Sequence, residues 1–167
     1  MTRRTAVSLP IALAGGLAAA PVPRPRAAVS SAATALCLNE DPNHFYFTRA
    51  PKRVTREDLI AWVDQYAGTQ VRELMLCVNA QRTAFASKVW TPFWKGYEPT
   101  GSDDQPLFRS QPPESRKTTR TWVHTAWQMN EDNLDQFKIW IARAREKRFS
   151  PWISIRMNDL HNVDDED

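Results

Sequence analysis

Arg156, Asn158, Asp159 and His161 fall within six residues of one another. A guanidinium fork, an amide, a carboxylate and an imidazole this close can hold a hydroxylated or anionic ligand. They grow out of the apolar run Trp152-Ile153-Ser154-Ile155-Arg156-Met157. Alternate side chains of a strand share a face, so Ser154, Arg156 and Asn158 are expected together. An inward arginine beside Asn158 and Asp159 makes a polar floor and poor apolar packing. The competing reading is a structural ion pair of Arg156 with Asp159 or with an acid elsewhere. A second cluster, Asn79, Gln81 and Arg82, follows the run Val71-Arg72-Glu73-Leu74-Met75-Leu76-Cys77-Val78. Amides offer a donor and an acceptor, which suits sugar hydroxyls. Asn79 capping its own loop is the alternative. Trp90, Trp94 and Tyr97 lie in the long connection after that run. Their flat rings either stack on sugar faces or pack the loop onto the scaffold. His124, between Trp122 and Trp127, reads as a core or surface histidine and not as a ligand.

Other chemistries lack their residues. There is no Gly-rich phosphate loop, no G-x-S-x-G elbow and no H-E-x-x-H helix. Asp64, Asp103, Asp104 and the run Asp164-Asp165-Glu166-Asp167 do not nominate a catalytic carboxylate pair. Two cysteines allow one disulfide at most, and Cys77 reads as a small core residue. No Cys/His spacing resembles a zinc site, so neither a metal nor a cofactor is expected.

The elements that must position these clusters follow from periodicity. Both apolar runs read as buried strands, and helical sequence lies between them, as in a parallel β/α protein. Ligands of such folds bind beyond the carboxyl ends of the strands, where the polar clusters stand. His44-Phe45-Tyr46-Phe47-Thr48 has strand character. Thr55-Arg56-Glu57-Asp58 is a capping box opening a helix with Leu59, Trp62, Val63 and Tyr66 on one face, and Gly68 stops it. Residues 79–113 form a proline-rich but aromatic loop. A helix is predicted from Glu114 to Met129 with Pro113 at its start. Another is predicted after an Asn133 cap completed by Gln136, with Leu134, Phe137, Ile141 and Ala144 on its inner stripe. Cations crowd its second half, and Ser150-Pro151 ends it.

The N-terminus is different in kind. Residues 1–33 hold four arginines and no acid, with Arg3-Arg4 before an Ala/Leu/Gly-rich stretch to Ala20. That pattern reads as a secretory signal peptide, and the arginine pair makes twin-arginine export one route. A disordered leader or an upstream translation start is the other reading. The apolar stretch is too short to span a membrane. The boundaries expected are a signal at 1–33, a mature N-terminal segment at 34–54 and a barrel portion at 55–167. The product is expected outside the cytoplasm, secreted or periplasmic, with no membrane contact after processing. The chain carries 22 basic and 19 acidic residues, a net charge of +3. Without the leader the balance is 18 against 19, so no basic surface calls for nucleic acid.

Four segments together resemble a known family: Asp64-Gln65-Tyr66-Ala67-Gly68-Thr69-Gln70-Val71, Cys77-Val78-Asn79-Ala80-Gln81-Arg82-Thr83, Ser87-Lys88-Val89-Trp90 and Ile155-Arg156-Met157-Asn158-Asp159-Leu160-His161. They look like the N-terminal part of bacterial secreted glycoside-hydrolase-like proteins, over residues 40–167. The resemblance implies a (β/α)8 TIM barrel, of which this chain is expected to carry only the first two strand-helix units. It implies a truncated piece of a parent that acts on polysaccharide. The catalytic carboxylates of such barrels come from later strands, so the piece alone is expected not to catalyse. Asn79, Gln81, Arg82, Trp90, Trp94, Arg156, Asn158, Asp159 and His161 are the expected carbohydrate contacts. Two alternatives stand beside it. One is a small noncatalytic carbohydrate-binding protein using the tryptophan loop, and the other a metal-dependent hydrolase barrel using Asp159 and His161.

Overall fold

The structure, a computed structural model, describes residues 34–79 and 82–157. Its elements run β1 (Leu36–Glu40), α1 (Pro42–Arg49), α2 (Arg56–Asp64), β2 (Val71–Cys77), a 3-10 turn (Pro106–Phe108), α3 (Pro113–Glu131), α4 (Gln136–Glu146) and β3 (Ser150–Ser154). The three strands form one parallel sheet in chain order, β1-β2-β3. The α/β class with parallel strands is therefore as the sequence implies. The strand count is not, because β1 adds a third strand before the two expected. The Phe45-Tyr46-Phe47 segment is not a strand but the middle of α1. The last strand covers Ser150 to Ser154 and not 152–157. Pro151 lies inside it, which an edge strand tolerates because the missing N–H need not meet a neighbour.

Register explains which residues face the helices. Leu38 pairs with Leu74, and Leu74 with Pro151; Glu40 pairs with Leu76, and Leu76 with Ile153. Leu74 and Leu76 of this set are buried in the core and Leu38 packs against it, while Ile153 on the edge strand stays exposed. The alternate set, Asn39, Met75 and Trp152, and then Cys77 with Ser154, occupies the opposite face. Trp152 there is exposed. The two cysteines are not bridged: Cys37 is exposed and Cys77 fully buried.

Local chemistry sets the helix starts. Asp41 caps α1 by accepting Asn43 N at 3.0 Å, and Pro42 occupies the first turn, where its missing N–H costs nothing. The Thr55–Asp58 capping box forms in both directions. Pro113 opens α3. The start of α4 differs from expectation. Asp135, not Asn133, is the cap, accepting Lys138 N at 2.9 Å. Asn133 instead takes a left-handed φ of 54°, making the bend from α3. Gln136 does not complete a cap; it is buried and bonds elsewhere. At the other end Arg148 adopts φ 64° and Phe149 N returns to Ala144 O at 2.9 Å, so α4 stops before Ser150-Pro151.

Helix pairs α1–α3 and α2–α4 pack against one another. Aromatic rings fill the space between them: Phe45 meets Trp62 and Trp140 edge-on, and Tyr46 stacks on Trp122 with Phe93 alongside. Gln128 of α3 accepts Val54 N at 2.9 Å, holding the segment before α2 in place. Arg143 of α4 grips Asp64 at the end of α2 with a two-pronged fork, at 2.7 and 2.6 Å. That hydrogen-bonded guanidinium holds the Asp64 carboxyl below the ordinary carboxylate range. A depressed carboxylate stabilises the fold above its unfolded pKa of about 3.9 and loses that contribution as pH falls through the lower folded value. Asp64→Asn is thus expected to lower Tm at pH 7 and to leave Tm unchanged relative to the parent chain near pH 2. Thermal scans across that range check it. Parallel melting curves at every pH would show that the fork contributes nothing.

Candidate functional site

The carboxyl ends of the three strands bring together groups that are distant in sequence. Arg156 stands two residues beyond Ser154, and Asn79 two residues beyond its register partner Cys77. Asp41 follows directly on Glu40, the last residue of β1. Arg156 Nη2 reaches Asp41 Oδ2 at 2.7 Å, so the ends of β1 and β3 are joined across the end of β2. The other carboxylate oxygen of Asp41 takes Asn43 N, which fixes the carboxylate's orientation. Arg156 is half-exposed, and ion pairs at that exposure are worth about 0–1 kcal/mol. Of the two readings of Arg156, an ion pair with an acid elsewhere is present, with Asp41; Asp159 lies outside the described residues.

Asn79 is buried and adopts φ 65°. Its Oδ1 accepts from Cys77 Sγ at 3.6 Å. Val78 N continues the pairing to Ser154 O at 3.0 Å, and Ala84 N returns to Val78 O at 3.3 Å. The chain thus turns sharply at Asn79 and folds back on the strand end. Amides tolerate that left-handed backbone better than most side chains, which is a structural reason for asparagine here. Arg82 is buried a few residues on. Gln81, Asn158, Asp159 and His161 lie outside the described residues.

The aromatic group divides. Trp94 and Tyr97 are buried, with Trp94 edge-on to Phe93 at 5.0 Å and Tyr97 against Phe108 and Trp127. These two rings pack the loop onto the scaffold. Trp90 stays 42% exposed beside Val89, in a turn where Ser87 Oγ accepts both Val89 N and Trp90 N. Tyr97 hydroxyl lies 3.0 Å from His124 Nδ1, so His124 is a partnered histidine on the α3 surface. Partial burial and then the Arg120 charge lower its pKa.

Of the acidic residues set aside in the sequence, the three among the described residues are taken by arginines. Asp64 is held by Arg143, Asp103 by Arg120 at 2.9 Å, and Asp104 by Arg116. Two carboxylates that sequence reasoning did not single out stand nearer the strand ends. One is Asp41. The other is Glu40, buried on the helix side, where it accepts the Tyr66 hydroxyl and faces His44 Nδ1 at 3.6 Å. Burial, with this carboxylate beside it, pushes the Tyr66 phenol upward. Asp41-Pro42 was readable as a helix start, a capping oxygen before a proline. Nothing local marks Glu40.

Among the described residues no three of His, Cys, Asp or Glu are grouped to hold a metal ion, and no helix is long and apolar enough to cross a membrane. No family model matches the chain, and no curated protein matches it.

Proposed function

We propose that the chain is the N-terminal part of an exported, glycoside-hydrolase-like (β/α)8 barrel that acts on polysaccharide, and that by itself it binds without cleaving. The observation that carries this reading is the convergence of Asp41, Asn79 and Arg156 at the carboxyl ends of three parallel strands. Active sites of (β/α)8 barrels are built at that end. Chain-order parallel pairing with helical crossovers is the arrangement that closes into a barrel when further strands join. Exposed apolar side chains on and just past the edge strand β3 support it: Trp152 on one face, Ile153 on the other, then Ile155 and Met157, which a next strand and its helix would cover. The export part rests on the Arg3-Arg4 leader, outside the described residues. Catalytic carboxylates are assigned to later strands, not to any residue here.

The exposed Trp90 favours a second reading, a small carbohydrate-binding protein that stacks sugar on this loop. One experiment separates the two. The full chain is sedimented with particles of cellulose, xylan and chitin, and released reducing sugar is measured. Retention without sugar release is expected on one of them. Arg156→Ala should weaken retention about tenfold, the loss of one charge-assisted hydrogen bond, with Tm nearly unchanged. Retention that survives Arg156→Ala and disappears in Trp90→Ala would transfer the function to the loop. No retention on any particle would remove the carbohydrate reading. Translating the genomic sequence beyond the Asp167 codon tests the barrel, which requires further strand-helix units there.

A further inference from the structure

Among the described residues the sheet has two free edges, the outer sides of β1 and β3. The β1 edge is guarded. Its register slips between Leu36 and Cys37, and the strand ends on Glu40, a charge turned inward. An irregular register and an inward charge both discourage strand-to-strand association. The β3 edge has neither. Its run Ser150-Pro151-Trp152-Ile153-Ser154-Ile155 contains no charged residue. Trp152, Ile153, Ile155 and then Met157 are between 46% and 78% exposed.

Pairing with β2 decides which backbone groups this edge offers. Val78 N donates to Ser154 O at 3.0 Å, and Ser154 is the register partner of Cys77. The N–H and C=O of one strand residue point to the same side, and successive residues alternate. Ser150, Trp152 and Ser154 therefore face β2, while Pro151 and Ile153 face outward. Ile155 is next in that alternation. Pro151 brings no N–H to the outer side, and β2 loses no bond by it. Ile153 keeps a donor and an acceptor for whatever docks there, and Ile155 supplies the same pair two residues on.

A second copy fits this edge. Run antiparallel about Ser154, it sets Ile153 opposite Ile155 of the other copy, twice over. Each such pair can exchange two N–H···O=C bonds. Pro151 stands outside both pairs, so its missing donor is not called on. β-branched side chains meet across the pairs, and no like charges are opposed. A β3-to-β1 contact would instead be head-to-tail, would meet the β1 slip, and would leave fresh edges on which to grow. We infer that the 167-residue chain forms a two-fold dimer through antiparallel pairing of its β3 edges, Ile153 against Ile155. The barrel reading gives this edge to a further strand; the dimer is a property of these 167 residues by themselves and does not rest on that reading.

Sedimentation velocity of the full chain over about 1–200 μM is the test, because so short an interface should dissociate on dilution. The mass is expected to rise from the 19.1 kDa of one copy to twice that value and to stop there. Ile153→Pro deletes an outward N–H and keeps the bonds to β2. The residue before it, Trp152, is already in a strand, as a residue preceding proline prefers. This variant should weaken the dimer at least about tenfold, with far-UV circular dichroism unchanged. Ile155→Lys, just past the strand, separates that result from a folding defect, and its charge on the edge should have the same effect. Leu36→Lys on the β1 edge should leave the dimer intact, as should Val89→Ser, an exposed apolar position on the loop after β2. The mass of one copy at every concentration, or growth past two copies, would overturn the assignment. So would a dimer that survives both Ile153→Pro and Ile155→Lys, or one lost in Leu36→Lys or Val89→Ser. Ile153→Pro should still sediment with polysaccharide, so failure of the dimer and failure of the carbohydrate reading are told apart.

Discussion

Trp140→Ala is expected to destabilise the chain by about 3–5 kcal/mol, the usual cost of emptying a large aromatic site. Trp140 is 1% exposed, at the point where α4 meets α1. Its ring stands edge-on to Phe45 at 5.3 Å and to Phe137 at 5.8 Å, and Phe45 in turn touches Trp62 of α2. Removing it opens a hole shared by three helices, none of which can collapse into it without pulling the others. Domains have about 5–15 kcal/mol in total, so this one change removes a large share of the stability. Trp140→Phe is the informative comparison. It keeps a ring in the site and deletes the indole N–H, which among the described residues has no partner. Its cost should be about 1–2 kcal/mol. Urea unfolding followed by far-UV circular dichroism measures both. Equal midpoints for the parent chain and Trp140→Ala would mean that these rings do not form the core.

Gln105→Ala is expected to release the loop between Glu98 and Gln105 at a cost of about 2–4 kcal/mol. The amide is buried and spends both ends on the loop's own backbone. Oε1 accepts Glu98 N at 2.8 Å, while Nε2 donates to Glu98 O at 2.8 Å and Ser102 O at 2.9 Å. Truncation leaves three backbone groups without this partner. Arg120 holds the same loop from outside through Asp103 and Pro99 O, but these contacts are partly exposed and weaker. Gly101 is constrained by the same amide: a Cβ there would sit 2.9 Å from Gln105 Nε2, so Gly101→Ala should show a milder form of the same defect. Limited trypsin digestion reads the outcome, because Lys95 and Arg109 flank the loop. Faster cleavage at these two sites is expected in Gln105→Ala. Cleavage at the parent rate would show that the amide is dispensable.

Much of the scaffold was legible because its causes are local. The Thr55–Asp58 box needs only an i to i+3 spacing, and it forms as the spacing implies. The apolar run through Cys77 is a central strand with neighbours on both sides, and its apolar positions Val71, Leu74, Leu76 and Cys77 are buried while Arg72 and Glu73 are exposed. Pro113 at a helix start and cations in the last turn of α4 are equally short-range. The failures have a common cause. In α1 the aromatic run carries strand propensity, but burying Phe45 and Tyr46 among Trp62, Trp122 and Trp140 favours a helix. In β1 the short run Leu36-Cys37-Leu38 ends in two polar residues, too weak a pattern to stand out. The expected α4 cap was displaced because the bend from α3 needed Asn133 in the left-handed region, which left capping to Asp135.

The candidate site divides along the same line. By itself the sequence determined that polar groups follow two apolar runs, since such runs are properties of neighbours along the chain; of the two strands only β2 is buried, and β3 is not. Only the tertiary structure decided which of them meet. Among the described residues Arg156 meets Asp41, more than a hundred residues earlier, whose local sequence marks a helix start and not a partner for an arginine. Trp90 and Trp94 are of one residue type in one loop, yet one is exposed and the other packed against Phe93. Gln136 looks like a capping residue until Ala84 O and the Tyr46 hydroxyl claim its amide. Each outcome depends on what crosses from another element. Side-chain type and spacing hold no information about that until the strands are in register and the helices have packed.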